Sequence, residues 1–281
     1  MRRWFLLWVG LSGGCTELLK VEDTAASDTD VDTDTNTNIP TNECEPDGET
    51  DFFESGIFGV ATHSMDEAVA CFRVQYCSEA GCQPGETNGN GAYTVLTDGV
   101  GAMGGLEFIP LTDTYSHLSH ASVPFQLNDR TDVELNVHLL ELSQTLALPE
   151  EKESVHLGDG VWLDASFSDV ELALGAQANG FGAVEVPESL RLPITLTETV
   201  VAVWYLSPFD TRAVAEPLAV RIEDRWELEP GQSYSLHEFA IEEDAYFWRR
   251  VGSYAVVDGF LVGEKGTGLQ HLTTIALVVD E

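Results

Sequence analysis

From Phe58 onward the chain alternates apolar and polar residues with a period of two. In Phe72-Arg73-Val74-Gln75-Tyr76 the apolar residues fall on one side of an extended chain, while Arg73 and Gln75 fall on the other. A helix turns about 100° per residue and would scatter them around its surface. The pattern therefore admits a strand and excludes a helix. It recurs in FGVAT, AYTVLT, GLEFIPL, ASVPFQL and VELNVHLLEL, each bounded by Gly, Asn, Asp or Pro. Short strands joined by tight turns predict an antiparallel β-sandwich over residues 55–145.

A second series begins at HLGDGVWLDASF, where Val161, Leu163, Ala165 and Phe167 share one face and Asp159-Gly160 supplies a turn. Strands are expected within RLPITLTETVVAVWYLSP, EPLAVRIE, YSLHEFAI, YFWRRVGSYAVVDGFLVG and LQHLTTIALVV, with Glu229-Pro230-Gly231 and Asp258-Gly259 as turns. Residues 155–281 are therefore read as a second antiparallel β-sandwich, giving an all-β protein of two sandwich domains.

Ahead of them the character changes. Arg2 and Arg3 precede the apolar run from Trp4 to Leu11, and Ser12, Gly13 and Gly14 lead to Cys15. Residues 1–14 have the three parts of an export signal and are too short to span a bilayer. Val200 to Leu206 and Thr274 to Val279, the most apolar later stretches, are strand-sized. The segment resembles the bacterial lipoprotein signal, which implies that the sulfur of Cys15 carries acyl chains, palmitate among them, and that the chain's first partner is a lipid bilayer. Ser12 stands where that family prefers Leu. Thr16 stands where an inner-membrane retention signal would have Asp, which implies the outer membrane.

Residues 15–54 hold Asp28, Asp30, Asp32 and Asp34 separated by Thr or Val, with few large apolar groups. Such a segment buries too little surface to offset the entropy of ordering it, and is expected to be a disordered linker reaching roughly 35 Å. Read as a calcium loop, it lacks the Gly turn and the terminal bidentate acid. The whole chain has 13 Lys and Arg against 48 Asp and Glu, a net charge of −35. That charge repels nucleic acid and suits cations or basic partners.

Setting Cys15 aside leaves Cys44, Cys71, Cys77 and Cys82, enough for two disulfides in three possible pairings. Cys77 and Cys82 bracket a short loop, so the favoured pairs are Cys77 with Cys82 and Cys44 with Cys71. His117 and His120, with Asp113 upstream, have a spacing that metal sites sometimes use, but sit in a polar stretch where solvated histidines are expected. Neither a metal nor another cofactor is expected.

Two family resemblances follow. Gly59, Val60, Ala70, Phe72, Val74, Thr87, Asn88, Asn90, Gly91 and Tyr93 resemble the signature of the carboxypeptidase regulatory-like domain. The resemblance implies a transthyretin-like sandwich that accompanies an activity without performing one. Pro230, Gly231, Trp248, Gly252, Asp258, Gly259, Gly268, Leu269, His271 and Thr273 are similar to the β-sandwich of netrin receptors and ankyrins as it occurs in bacterial surface proteins. Some members of that family cleave their own backbone at His-Phe-Ser. Here His271-Leu272-Thr273 keeps a histidine and a hydroxyl, but no partner that would orient His271 is identifiable in the sequence.

No GxSxG, HExxH, P-loop or dinucleotide fingerprint occurs. The expectation is a non-enzymatic lipoprotein of the outer membrane and cell surface, displaying two sandwiches for binding or adhesion to an envelope component, a polysaccharide or a neighbouring cell. A calcium-stabilised adhesin and a protein self-cleaving at His271-Leu272-Thr273 are the alternatives.

Overall fold

A computed structural model describes residues 56–79, 81–97, 103–110, 115–126, 133–173, 176–229, 231–242 and 245–280. The export signal, Cys15, the Asp-rich segment, Cys44, Asp113 and Pro230 lie outside the described residues. The chain divides into Met1–Ile39 and Pro40–Glu281, and every described residue belongs to the second unit. Among the described residues the regular elements are strands and single-turn 3-10 helices, so the all-β class holds.

The strand Phe72–Ser78 lies inside an antiparallel sheet ordered Gly81–Glu86, Phe72–Ser78, Met103–Pro110, Ala121–Gln126. Its alternation is realised: Phe72, Val74 and Tyr76 are buried. They pack with Leu106 and Phe108 against Ile57, Ala61, Tyr93 and Val95 of a five-stranded sheet built around Gly56–His63. The TNGNG turn works through a side chain as well as a glycine. Asn88 Oδ1 accepts the N–H groups of Asn90 and Ala92 at 2.9 and 3.1 Å. Gly91 takes φ 74°, where a Cβ would lie 2.4 Å from the Ala61 carbonyl oxygen.

One expected strand is broken. VELNVHLLEL forms two short pieces, Val133–Glu134 and Val137–His138, both parallel to Gly56–His63 rather than antiparallel. Between them the chain presses so close that a Cβ on Gly59 would lie 1.9 Å from the Leu135 carbonyl oxygen. Asn136 accepts the Val60 N–H on its side chain at 2.9 Å in place of a ladder bond.

Of the remaining strands, Val170–Glu171, Thr211–Ala213 and His271–Leu272 form a three-stranded sheet, and the other nine form one antiparallel sheet. Its order is Glu153–Gly158, Val161–Ala165, Ala219–Glu223, Phe260–Gly263, Ala245–Val257, Tyr234–Glu242, Thr274–Val279, Val200–Ser207, Gly182–Glu185. Asp159-Gly160 and Asp258-Gly259 make the expected hairpin turns, with φ of 41° and 77° in the first and 52° and 80° in the second. Phe167 departs from the face assigned to it and is 44% exposed. The strand ends at Ala165 because Asp169 folds back to accept both the backbone N–H and the hydroxyl of Ser166 at 2.8 Å, closing a 3-10 turn.

Val200–Ser207 is apolar at nearly every position because both of its faces are covered. Ala202, Trp204 and Leu206 enter a core with Leu236, Tyr254, Ile275 and Leu277. Val203 and Tyr205 enter the other core, beside Ile57 and Phe72. The two regions read separately in the sequence thus bury side chains in common. A buried polar tie joins them too: Thr274 donates its hydroxyl to the Ser122 carbonyl, 152 residues away in the chain.

Candidate functional site

The face of Phe72–Ser78 opposite its core does not look out to water alone. Arg73, Gln75 and Cys77 share it, and the register sets Gln75 across from Glu107 and Arg73 across from Ile109. This face borders a cavity of about 570 Å³ whose far wall comes from the nine-stranded sheet and its connections. Gln75, Glu107, His120, Phe209, Asp210 and Tyr246 supply its chemistry, and the Cys77–Cys82 disulfide forms part of the wall. Cys77 and Cys82 stand opposite each other in one hairpin, with Cα atoms 3.9 Å apart. Cys71 is disulfide-bonded as well; its favoured partner Cys44 lies outside the described residues.

Glu107 is 3% exposed and accepts a hydrogen bond from the Gln75 amide. Burial pushes its pKa up to about 7, opposed by that hydrogen bond and helped by the nearby charge of Asp210. His120 accepts the Phe209 N–H on Nδ1 at 3.0 Å, which leaves its proton on Nε2. Burial pushes the His120 pKa down to about 4, so the ring is neutral at physiological pH. The Phe209, Phe239 and Tyr246 rings run in a stacked row, 6.4 and 6.3 Å between centroids. Tyr246 fits over Gly105, where a Cβ would be 2.4 Å from its ring.

Asp210 joins the cavity to the expected self-cleavage triplet. Its carboxylate receives Arg212 and the Nδ1 of His271, each at 3.1 Å. Burial raises its pKa, but these two partners outweigh burial and hold the carboxyl below its usual range. The Asp210 backbone N–H meets the Leu272 carbonyl at 3.0 Å. Thr273 is 1% exposed and donates its hydroxyl to the Phe239 carbonyl at 2.7 Å. The fold therefore provides the orienting carboxylate for His271 that the sequence did not reveal. It comes from 61 residues away.

His117 and His120 part company: His117 is exposed, and His120 turns to the cavity. Among the described residues no group of three His, Cys, Asp or Glu side chains is placed to hold a metal ion. Sequence reasoning missed Glu107, Gln75 and Asp210. For Glu107 a signal existed, a single acid inside the apolar run MGGLEFIP.

No family model matches the chain, and no curated protein sequence matches it. Solved structures show only faint likeness, two of them as follows. A candidate carbohydrate-binding protein from Bacteroides uniformis is 12% identical, with 82% of this chain and 100% of that one covered and a TM-score of 0.26. The Bacillus anthracis TIE protein is 8% identical, with 76% and 47% covered and a TM-score of 0.22.

Proposed function

We propose that this chain is a non-enzymatic lipoprotein of the outer membrane and cell surface, anchored through acyl chains on Cys15, whose β-framework presents a ligand-binding cavity. The observation that carries the reading is the cavity, where a buried carboxyl, an amide and the rings of Phe209 and Tyr246 converge. The resemblances to carboxypeptidase regulatory-like and netrin-receptor or ankyrin-type sandwiches agree with a display role. Envelope components, polysaccharides and neighbouring cells are the partner classes. Fractionation of cells carrying Cys15→Ala tests the anchor: the variant should leave the membrane fraction, and its retention there would refute lipid attachment.

The second reading, self-cleavage, is favoured by the Asp210–His271 pair and by the Asp210 N–H on the Leu272 carbonyl. In that step the Thr273 hydroxyl would add to the Leu272 carbonyl carbon. His271 would take the hydroxyl proton and return it to the departing Thr273 nitrogen, and water would hydrolyse the resulting ester. Intact-mass measurement decides. A fragment beginning at Thr273, lost in Asp210→Asn, supports cleavage; a single intact chain sinks it.

A further inference from the structure

We propose that the cavity receives an organic ammonium ion, its charged head between the carboxylates of Glu107 and Asp210 and its hydrocarbon part against the rings of Phe209 and Tyr246. This rests on the reading of the cavity as a binding site. Glu107 carries the argument. A carboxylate offers about four acceptor positions, yet among the described residues Glu107 receives only the amide of Gln75, although it is 3% exposed. A carboxyl so placed is strongly destabilised as an anion unless a cation joins it. Among the described residues the protein supplies none of its own there. Arg73 borders the cavity but stands opposite Ile109, two residues along the register, and is exposed. Arg212 is likewise exposed and occupied with Asp210. His120 is neutral and committed to the Phe209 N–H. Ser122, across from Glu107 on the other flanking strand, brings no charge.

The rest of the cavity fits the same class. Aromatic faces attract cations when water is excluded, and Phe209 and Tyr246 both belong to the lining. An anionic ligand would face two carboxylates and, among the described residues, no buried cation. The net charge of −35 draws cations toward the surface and repels anions over the same distances. A volume of about 570 Å³ holds a small aryl or alkyl amine.

Tyramine and tyrosol, which differ only in an ammonium against a hydroxyl, separate the charge from the shape. Calorimetric titration of each into the full-length lipoprotein in detergent at pH 8 should show tyramine bound at least about tenfold more tightly. Glu107→Gln, which keeps the size of the side chain, should bring the two within about twofold. Glu107→Asp should retain the preference in weakened form, guarding against a variant lost to misfolding. Equal affinities for the two probes would overturn the ammonium assignment while leaving the cavity as a binding site. A tyramine preference untouched by Glu107→Gln would place the amine elsewhere and overturn it too. Binding of neither probe would overturn both.

Discussion

Replacing Glu107 by Gln should stabilise the empty protein at alkaline pH and change nothing in acid. The wild-type carboxyl titrates at about 7 when folded, against a reference value of 4.5. A pKa raised by folding gives stability that is complete below the reference value. As pH rises through the interval the unfolded chain releases its proton while the folded chain retains it, so stability falls until both are ionised. At 1.36 kcal/mol per pKa unit this interval corresponds to about 3 kcal/mol, as an upper bound. The amide introduced by Glu107→Gln has no proton to release and can still hydrogen-bond the Gln75 amide after a rotation of either side chain. Urea unfolding of both proteins at pH 4.5, 6 and 8 checks the expectation. The difference should be near zero at pH 4.5 and grow to about 2–3 kcal/mol at pH 8. The large negative charge destabilises both proteins with rising pH, and the difference cancels it. A difference that stays constant with pH would refute the claim that Glu107 is buried without a counter-charge.

Arg249→Ala should cost about 3–5 kcal/mol, since it strands the fully buried carboxylate of Glu238, which Arg249 and the Gln270 N–H now hold; chemical denaturation gives the value, and Glu238→Gln in the same background should recover part of it. Gly91→Ala should lower stability by at least about 1–2 kcal/mol, because φ 74° and the adjacent Ala61 carbonyl both oppose a Cβ; a neutral effect on the melting temperature would contradict the turn geometry. Cys77→Ser with Cys82→Ser should cost no more than about 2 kcal/mol, since the bond closes a loop of sequence separation 5; a larger loss in denaturant titration would show that the bond does more than shorten the unfolded chain's loop.

Much of the framework was legible because strands leave a local trace. Phe72, Val74 and Tyr76, then Tyr93 and Val95, lie where period two puts them, and the Asp-Gly pairs turn as their backbone freedom predicts. Other features escaped because they depend on what packs from outside. Alternation assigned Arg73 and Gln75 to a polar face, but it carries no information about a second sheet covering that face. The parallel pieces Val133–Glu134 and Val137–His138 answer to the missing side chain of Gly59, far away in sequence. Asp210 reaches His271 only through the pairing of Thr211–Ala213 with His271–Leu272. Local pattern cannot encode such a meeting.

The strand Val200–Ser207, with alternate side chains in two cores, sets the terms on which the cavity exists. One wall comes from residues 73–120 and the other from residues 173–246, and this strand buries side chains in both cores. Neither half by itself encloses anything. Recognition as proposed for this cavity would consequently be a property of the assembled whole, and whatever loosens one half would open the wall supplied by the other.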